Sequence, residues 1–231
     1  MRLLALDTST EACSVALLLD GEPRLRFQLT ERSHAELVLP MVESLLDEAG
    51  IALTDLDGLA FGRGPGAFTG LRIAGGVVQG LALGASLPVA PISSLASVAE
   101  QVLAAAGEPV LVCNDARMGE AYWGVFRREA DGTVTALTEE AVSLPEAVGV
   151  GAPAARHVAG NAPPRYPVLL ERLRSAGLHF HEGLYPRADA IARLGAIELA
   201  AGRGVPAERA LPVYVRDNVA KPAGTAVTGV S

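Results

Sequence analysis

The chain has 231 residues, of which half are apolar, 4% are aromatic and 19% are charged. This composition indicates a globular protein of one large or two small domains and excludes an intrinsically disordered chain. The formal net charge is −7, Lys221 is the only lysine, and no long basic run is present, so the sequence lacks a nucleic-acid footprint. If the protein serves RNA chemistry, we expect a partner to hold the RNA.

Two cysteines, Cys13 and Cys113, lie inside apolar runs, which predicts buried free thiols rather than a disulfide framework. The apolar run at the N-terminus is four residues long before Asp7 interrupts it, which is too short for a signal peptide. Outside glycine-rich, amphipathic segments, no apolar stretch reaches the roughly 18 residues of a membrane span. These features together predict a reducing, cytoplasmic setting.

In the first half, alternating apolar runs and turn residues predict three strands followed by a helix. Asp20-Gly21 is a hairpin signal, because both residues tolerate positive φ. Ser33 and Glu36 form a capping-box pattern for a helix over 33–49, which Gly50 ends. A further strand, a glycine-rich loop, a helix, a strand and a helix follow. The predicted ranges are 3–6, 13–19, 25–29, 33–49, 58–61, 68–83, 88–92 and 94–106.

In the second half, fewer elements are predicted. They are a strand over 110–113, an apolar stretch near 156–160, helices over 168–176 and 188–202, and an apolar element over 211–215. The tail 221–231 is Gly, Ala, Thr and Val without period, which predicts disorder.

The segment Leu3–Gly21 is echoed by Val110–Gly132. Each copy has an apolar strand that ends at an aspartate, a short polar turn, Glu-Ala, and a second strand that ends at Asp-Gly. Internal duplication of a three-strand unit explains the echo, and chance similarity of two hairpins is the alternative. A duplicated β-β-β-α unit resembles the actin, chaperone and sugar-kinase (ASKHA) superfamily, in which two lobes face each other across a nucleotide cleft. The resemblance implies an α/β, two-lobed actin-like fold with a first lobe over 1–107, a reduced second lobe over 108–220 and the tail 221–231.

Two turns follow the first strands of the repeat and are candidate nucleotide contacts. Hydroxyl and backbone N–H groups at a strand end can hold phosphate, and a carboxylate can hold a metal. The alternative is a polar turn that satisfies its own backbone. The candidate residues for a vestigial nucleotide site are Asp7, Thr8, Ser9, Asp115 and Arg117.

The run Gly62–Gly70 precedes a helix and could cradle an anion on exposed N–H groups. It is not a P-loop, since no Gly-Lys-Ser/Thr follows, and Pro65 has no N–H to donate. Sharp turning and close packing are therefore the favoured roles of its glycines. Thr69 and Arg72 remain candidate anion contacts.

The histidines do not form a recognisable catalytic or metal motif. His179 and His181 would lie on one side of a strand and could bind a metal, but the sequence offers no third ligand nearby. We therefore predict no metal and no catalytic residue.

The two long helices of the first half carry more apolar surface than one core contact requires. On a helical wheel, the apolar residues of the first helix span roughly 200°, whereas docking needs nearer 100°. In the second helix Gly76, Gly80 and Gly84 recur four apart, and each costs about 0.5–1 kcal/mol relative to alanine. Packing against the chain's own first helix would explain them, and so would a partner's helix, which the wide apolar arc favours. The predicted interface residues are His34, Leu37, Val38, Met41, Val42, Leu45, Ile73, Gly76, Val77, Gly80 and Gly84.

Several segments, in order along nearly the whole chain, resemble the TsaB (YeaZ) family. They are Leu4–Thr10, Ser33–Leu46, Asn114–Phe126, Pro212–Ala220 and, most specifically, Gly62–Gly84. Ala67 and Ala74 stand where many relatives have Ser and Gly.

The resemblance implies a non-catalytic scaffold subunit in tRNA threonylcarbamoyladenosine biosynthesis. Its implied partners are the catalytic subunit TsaD and a second copy of itself, both bound mainly through the first two helices, and the ATPase TsaE. The tRNA is reached only through the complex. No cofactor of its own is implied, although ATP or ADP could bind at the complex interface. The alternatives are a nucleotide-binding phosphotransferase or ATPase and, for relatives of this superfamily, a metalloprotease.

Overall fold

The computed structural model describes residues 1–30, 33–103, 108–151 and 155–216. Its first sheet has five strands in the order β3-β2-β1-β4-β5. The hairpins β1–β2 and β2–β3 are antiparallel, whereas β4 and β5 extend the sheet in parallel. The strand bounds are β1 Arg2–Asp7, β2 Ala12–Leu19, β3 Glu22–Leu29, β4 Gly58–Gly64 and β5 Val89–Ser93.

The second sheet repeats this arrangement, with three strands shorter than their counterparts in the first sheet. Its order, β8-β7-β6-β10-β11, matches that of the first sheet strand for strand, and β9 also pairs with β7. The bounds are β6 Val110–Asp115, β7 Ala121–Arg128, β8 Val134–Ala136, β9 Ala141–Ser143, β10 His157–Ala159 and β11 His179–His181. The shared order confirms the predicted duplicated, two-lobed actin-like fold with a reduced second half.

Five α-helices in the described residues cover the two sheets. α1 packs on β2 and α2 on β4, while α5 lies across β1, β2, β4 and β5, and α3 packs on β6 and β7. α5 therefore follows the second sheet in the chain but packs against the first. The helix bounds are α1 His34–Ala49, α2 Phe68–Ala85, α3 Ser94–Val102, α4 Pro167–Ser175 and α5 Ala188–Ala200.

Strand alternation distributes the apolar side chains over three core clusters. Leu4 and Leu6 face one side of the first sheet, with α1 and α2, while Leu3 and Ala5 face the other side, where α3 and α5 lie between the sheets. A third cluster covers the outer face of the second sheet under α4. The first sheet therefore separates the α1–α2 layer from the α3–α5 layer.

Local turn chemistry is largely as predicted. Asp20 and Gly21 have φ of 51° and 90° at the hairpin, and Gly50 ends α1 in the left-handed region. The capping-box prediction was wrong, because the Ser33 side chain makes no capping hydrogen bond; only its carbonyl accepts from the first turn. Pro40 lies inside α1 on its exposed side.

Several predicted bounds differ from the observed ones. β4 extends three residues further than predicted, to Gly64, because its end pairs with β5. The apolar segment 211–215 is neither helix nor strand. The end of the predicted helix 94–106 and the predicted disorder of 221–231 fall partly or wholly outside the described residues.

Candidate functional site

Asp7, Thr8 and Ser9, at the turn after β1, are buried, and their side chains are hydrogen-bonded within the chain. One carboxylate oxygen of Asp7 accepts from the Ser9 backbone N–H at 2.8 Å and the Ser9 hydroxyl at 2.7 Å, and the other accepts from the Ser94 hydroxyl at 2.9 Å. The Thr8 hydroxyl donates to the Gly70 carbonyl at 2.7 Å. Burial raises the pKa of the Asp7 carboxyl, although the hydrogen bonds from Ser9 and Ser94 act in the opposite direction.

Three glycines of the 62–70 run make this burial possible. A Cβ on Gly62 would overlap the Asp7 carboxylate, and one on Gly70 would overlap the Thr8 carbonyl oxygen. A Cβ on Gly66 would lie 2.6 Å from the Ser9 Cβ. The three glycines therefore allow the end of β4 and the start of α2 to pack directly against the β1–β2 turn. This contact supports a packing role for the glycines over an anion-binding role.

The equivalent turn after β6 has the same local design. Asp115 accepts from the Arg117 backbone N–H at 3.0 Å, as Asp7 does from Ser9, so both are Asx turns. The Tyr166 hydroxyl also donates to Asp115 at 2.6 Å. Burial, together with that carboxylate, raises the pKa of Tyr166 to about 12.

A guanidinium lies between the two turns. Arg165 contacts Glu11 at 2.8 Å and Asp115 at 3.2 Å, while the Asn161 amide donates to both Glu11 oxygens at 3.1 Å. Glu11 belongs to the β1–β2 turn and Asp115 ends β6, so Arg165 bridges the two halves of the molecule. This bridge was not predicted from the sequence, because Arg165 lies 154 positions from Glu11 and both resemble ordinary surface residues.

The segment 211–216 crosses the gap between the sheets. The Val213 backbone N–H donates to the Arg63 carbonyl at 2.8 Å, and the Tyr214 ring packs against Phe68 at 5.4 Å. Further on, Arg216 pairs with Glu120 beside the second turn. The cavity bounded by this segment, Gly66–Phe68 and Ala116–Arg117 measures about 170 Å³, which is smaller than the roughly 300 Å³ at which ligand pockets begin.

A larger cavity, about 840 Å³, lies elsewhere, between β5, α5 and the β8–β9 region. Three of its polar residues are paired with one another, since Arg63 contacts Glu140 at 3.3 Å and Glu140 also accepts from Ser93.

The predicted interface residues on α1 divide into two groups. Val38, Val42 and Leu45 are buried in the cluster that α1 forms with the first sheet, so their side chains do not reach the surface. Leu37 and Met41 are only partly buried at the edge of that cluster. His34 is buried to 9% exposure, and its Nε2 atom has no hydrogen-bond partner among the residues that the structure describes.

On α2 the glycine stripe faces outward. Gly76, Gly80 and Gly84 are exposed, and a Cβ added to any of them would meet no atom of the described residues within 4 Å. Ile73 and Val77, on the same side of the helix, are half-buried. Packing of α1 against these glycines, one of the two explanations considered from the sequence, is therefore excluded.

α2 is also the one helix in the described part of the chain that is long and apolar enough to cross a membrane by length and composition. A core helix passes the same test, and one face of α2 is buried on β4.

The histidines of the second sheet lie together. His157 pairs in register with His179 on neighbouring strands, and its Nδ1 atom is 3.1 Å from the Nε2 atom of His181. Burial and the two neighbouring imidazoles lower the pKa of His181. As placed, no three His, Cys, Asp or Glu side chains in the described ranges form a group that could hold a metal ion.

Both cysteines are free and buried, as predicted. Burial raises the pKa of the Cys13 thiol to about 11 and that of Cys113 further still. Neither thiol therefore has the lowered pKa of a nucleophilic cysteine.

Comparison with known proteins supports the sequence resemblance. A family model described as TsaD, tRNA N6-adenosine threonylcarbamoyltransferase, matches residues 28–175. The tRNA threonylcarbamoyladenosine biosynthesis protein TsaB of Escherichia coli is 41% identical over 95% of this chain and 96% of its own. The Haemophilus influenzae TsaB is 50% identical over 56% of this chain and 55% of its own.

Solved structures agree with these relatives. YeaZ from Pseudomonas aeruginosa superimposes with a TM-score of 0.82 at 46% identity, over 92% of this chain and 99% of that one. A second structure, described as a protein with similarity to peptidase YEAZ from Pseudomonas aeruginosa, gives a TM-score of 0.83 at 45% identity, over 93% and 99% of the two chains. The near-complete coverage of both chains shows that this chain belongs to the TsaB (YeaZ) family.

Proposed function

We propose that this chain is a non-catalytic subunit in tRNA threonylcarbamoyladenosine biosynthesis, which binds a TsaD-type catalytic subunit through one face of α1 and α2. The relatives described as TsaB biosynthesis proteins give the pathway. The proposed face consists of the accessible members of the predicted interface, which are Leu37, Met41, Ile73, Gly76, Val77, Gly80 and Gly84.

The glycine stripe of α2 is the observation that carries this proposal. A glycine in a helix interior costs about 0.5–1 kcal/mol relative to alanine. At Gly76, Gly80 and Gly84 the fold itself gains nothing in return, because open space lies above each of them. Small residues on a helix let another backbone approach closely, and the half-buried Ile73 and Val77 beside them supply apolar contact area.

The two candidate nucleotide turns support a non-catalytic role. Asp7 is buried, and both of its oxygens accept hydrogen bonds from within the chain. Asp115 is paired with Arg165 and Tyr166, so the two turns that would enclose a phosphate are bridged by a protein guanidinium. The 170 Å³ cavity beside the second turn is too small for a nucleotide.

The remaining partners follow from this role. We infer that the same face pairs with a second copy when TsaD is absent, that the ATPase TsaE joins the assembled complex, and that tRNA is held by the other subunits. The acidic net charge agrees with indirect tRNA contact. A cytoplasmic location follows from the pathway, and ATP or ADP would bind at the complex interface.

Size-exclusion chromatography with light scattering tests the proposal. The untagged chain and TsaD are run separately and mixed, with and without ATP and Mg²⁺. We expect the mixture to give a new species with one or more copies of each subunit. If the two proteins elute separately under both conditions, the proposed role is wrong.

Calorimetry separates this role from the competing phosphotransferase or ATPase. We expect no heat of binding when ATP and Mg²⁺ are titrated into the isolated chain, since its turns are occupied by internal contacts. Saturable binding that is lost in Asp115→Asn would instead support a nucleotide enzyme.

A further inference from the structure

The parallel strands β10 and β11, at the edge of the second sheet, carry three histidines on one face. His157 and His179 are in register, and His181 is two residues further along β11, so all three side chains leave the sheet on the same side. The neighbouring residues Val158 and Phe180 point to the opposite face, into the cluster under α4.

The spacing of two of these rings is close to that of metal ligands. The His157 Nδ1 and His181 Nε2 atoms are 3.1 Å apart, and two nitrogen ligands of a tetrahedral Zn²⁺ at 2.0–2.1 Å lie about 3.4 Å apart. The three ring centroids are 4.7, 5.1 and 5.9 Å from one another, close to the roughly 5 Å expected for imidazoles that share such an ion.

An acidic residue already orients one of the rings. Glu108 lies 3.0 Å from the Nε2 atom of His157, which leaves Nδ1 directed at His181. Metal-binding histidines typically donate their second N–H to a carboxylate, which fixes the tautomer and the ring orientation. Glu108 therefore stands where the outer partner of a metal-bound histidine is expected.

We propose that His157, His179 and His181 form a site for a divalent transition-metal ion of the Zn²⁺ type. The ion takes the place of the proton shared by His157 and His181, and binds Nδ1 of the first and Nε2 of the second. His179 is exposed on the edge strand, so its ring turns to supply the third nitrogen. This rotation of the His179 ring is required, because the side chains as placed do not form a three-ligand group.

Metal binding at this position would join the edge strand β11 to β10. β11 has only three residues and no partner on its outer side within the described sheet. A ligand set that spans both strands stabilises the folded form by mass action. The proposal does not depend on the proposed role of the α1–α2 face, which lies on the other sheet.

Titration of Co²⁺ into the untagged, metal-free chain tests the site, because nitrogen-bound tetrahedral Co²⁺ absorbs visible light. We expect one equivalent to bind, His157→Gln and His181→Gln to abolish the absorption, and His179→Gln to weaken binding about tenfold or more. Glu108→Gln should weaken it by about tenfold, as loss of an outer partner does. Glu171→Gln, the same change on the exposed surface of α4, is the matched control and should leave it unchanged.

Thermal melting gives a second readout on the same proteins. Zn²⁺ should raise the melting temperature of the wild-type chain and of Glu171→Gln, but not that of His157→Gln. The proposal is overturned if the wild-type chain shows no saturable Co²⁺ binding, or if any of the three histidine variants binds with wild-type affinity.

Discussion

Two sets of three glycines, each spaced four residues apart, lie in the segment from β4 to the end of α2, and they have opposite surroundings. Gly62, Gly66 and Gly70 are pressed against the β1–β2 turn, where a Cβ would collide with Asp7, Ser9 or Thr8. Gly76, Gly80 and Gly84 face open space. The same residue at the same spacing therefore serves internal packing in the first set. In the second set, no internal contact of the fold requires a glycine.

The difference separates glycines that the isolated fold requires from glycines that it does not. Those of the first set are required by the isolated fold, and any chain with this close turn needs them. Those of the second set lower the stability of the isolated fold, so their explanation has to come from outside the chain. This contrast underlies the proposed partner face and gives the following predictions.

The largest expected effect is that of Gly70→Ala. The new methyl group would overlap the backbone carbonyl of Thr8, which cannot swing aside as a flexible side chain would. We expect a loss of about 3 kcal/mol in the free energy of unfolding, measured by urea denaturation. Gly76→Ala is the matched control and should instead gain about 0.5–1 kcal/mol. Equal effects at the two positions would remove the contrast.

A smaller loss is expected from Arg165→Met. The change breaks the contacts to Glu11 and Asp115 that join the two turns. Because the guanidinium is partly exposed, we expect a loss of about 1 kcal/mol. Arg203→Met removes a two-contact pair with Glu198 on the surface and should cost less. If urea denaturation shows Arg165→Met to be no worse than this control, the bridge does not hold the halves together.

The pH dependence of the Asp7 turn should give the smallest effect. The pKa of Asp7 is raised above its ordinary value of 3.8 in the folded chain. The protonated form is therefore favoured by folding, and its contribution is complete below that value and is lost as the pH rises through the folded pKa. Asp7→Asn does not titrate, so it should gain stability relative to the wild-type chain between pH 4 and neutral pH. A relative loss in urea melts over that range would contradict the shift.

The elements that depend on local signals could be predicted from the sequence. Asp20-Gly21 and Gly50 adopt the left-handed conformations that their residue types favour. The echo of Asp7 in Asp115 indicated the duplicated lobes, and both aspartates form the same turn. The glycine spacing on α2 predicts close approach of another backbone, which stays a prediction.

Long-range relations could not be predicted in this way. Arg165 reaches Glu11 across 154 positions, and α5 packs on a sheet formed from the first 93 residues. His157 lies beside His179 and His181 because two parallel strands align in register. Strands of three residues show no periodicity from which that alignment could be predicted. The capping prediction at Ser33 failed, because a residue pattern does not determine where the side chain turns.

The most direct test of the central claim is Gly80→Leu, with both association and stability measured on one variant. Leucine is a better helix former than glycine and has open space here. We therefore expect the melting temperature of the isolated chain to be unchanged or higher, while calorimetric binding to TsaD is lost. Ala200→Leu, an exposed change on α5 across the first sheet, should bind normally. Wild-type affinity in Gly80→Leu, or a clear drop in its melting temperature, would contradict the partner face.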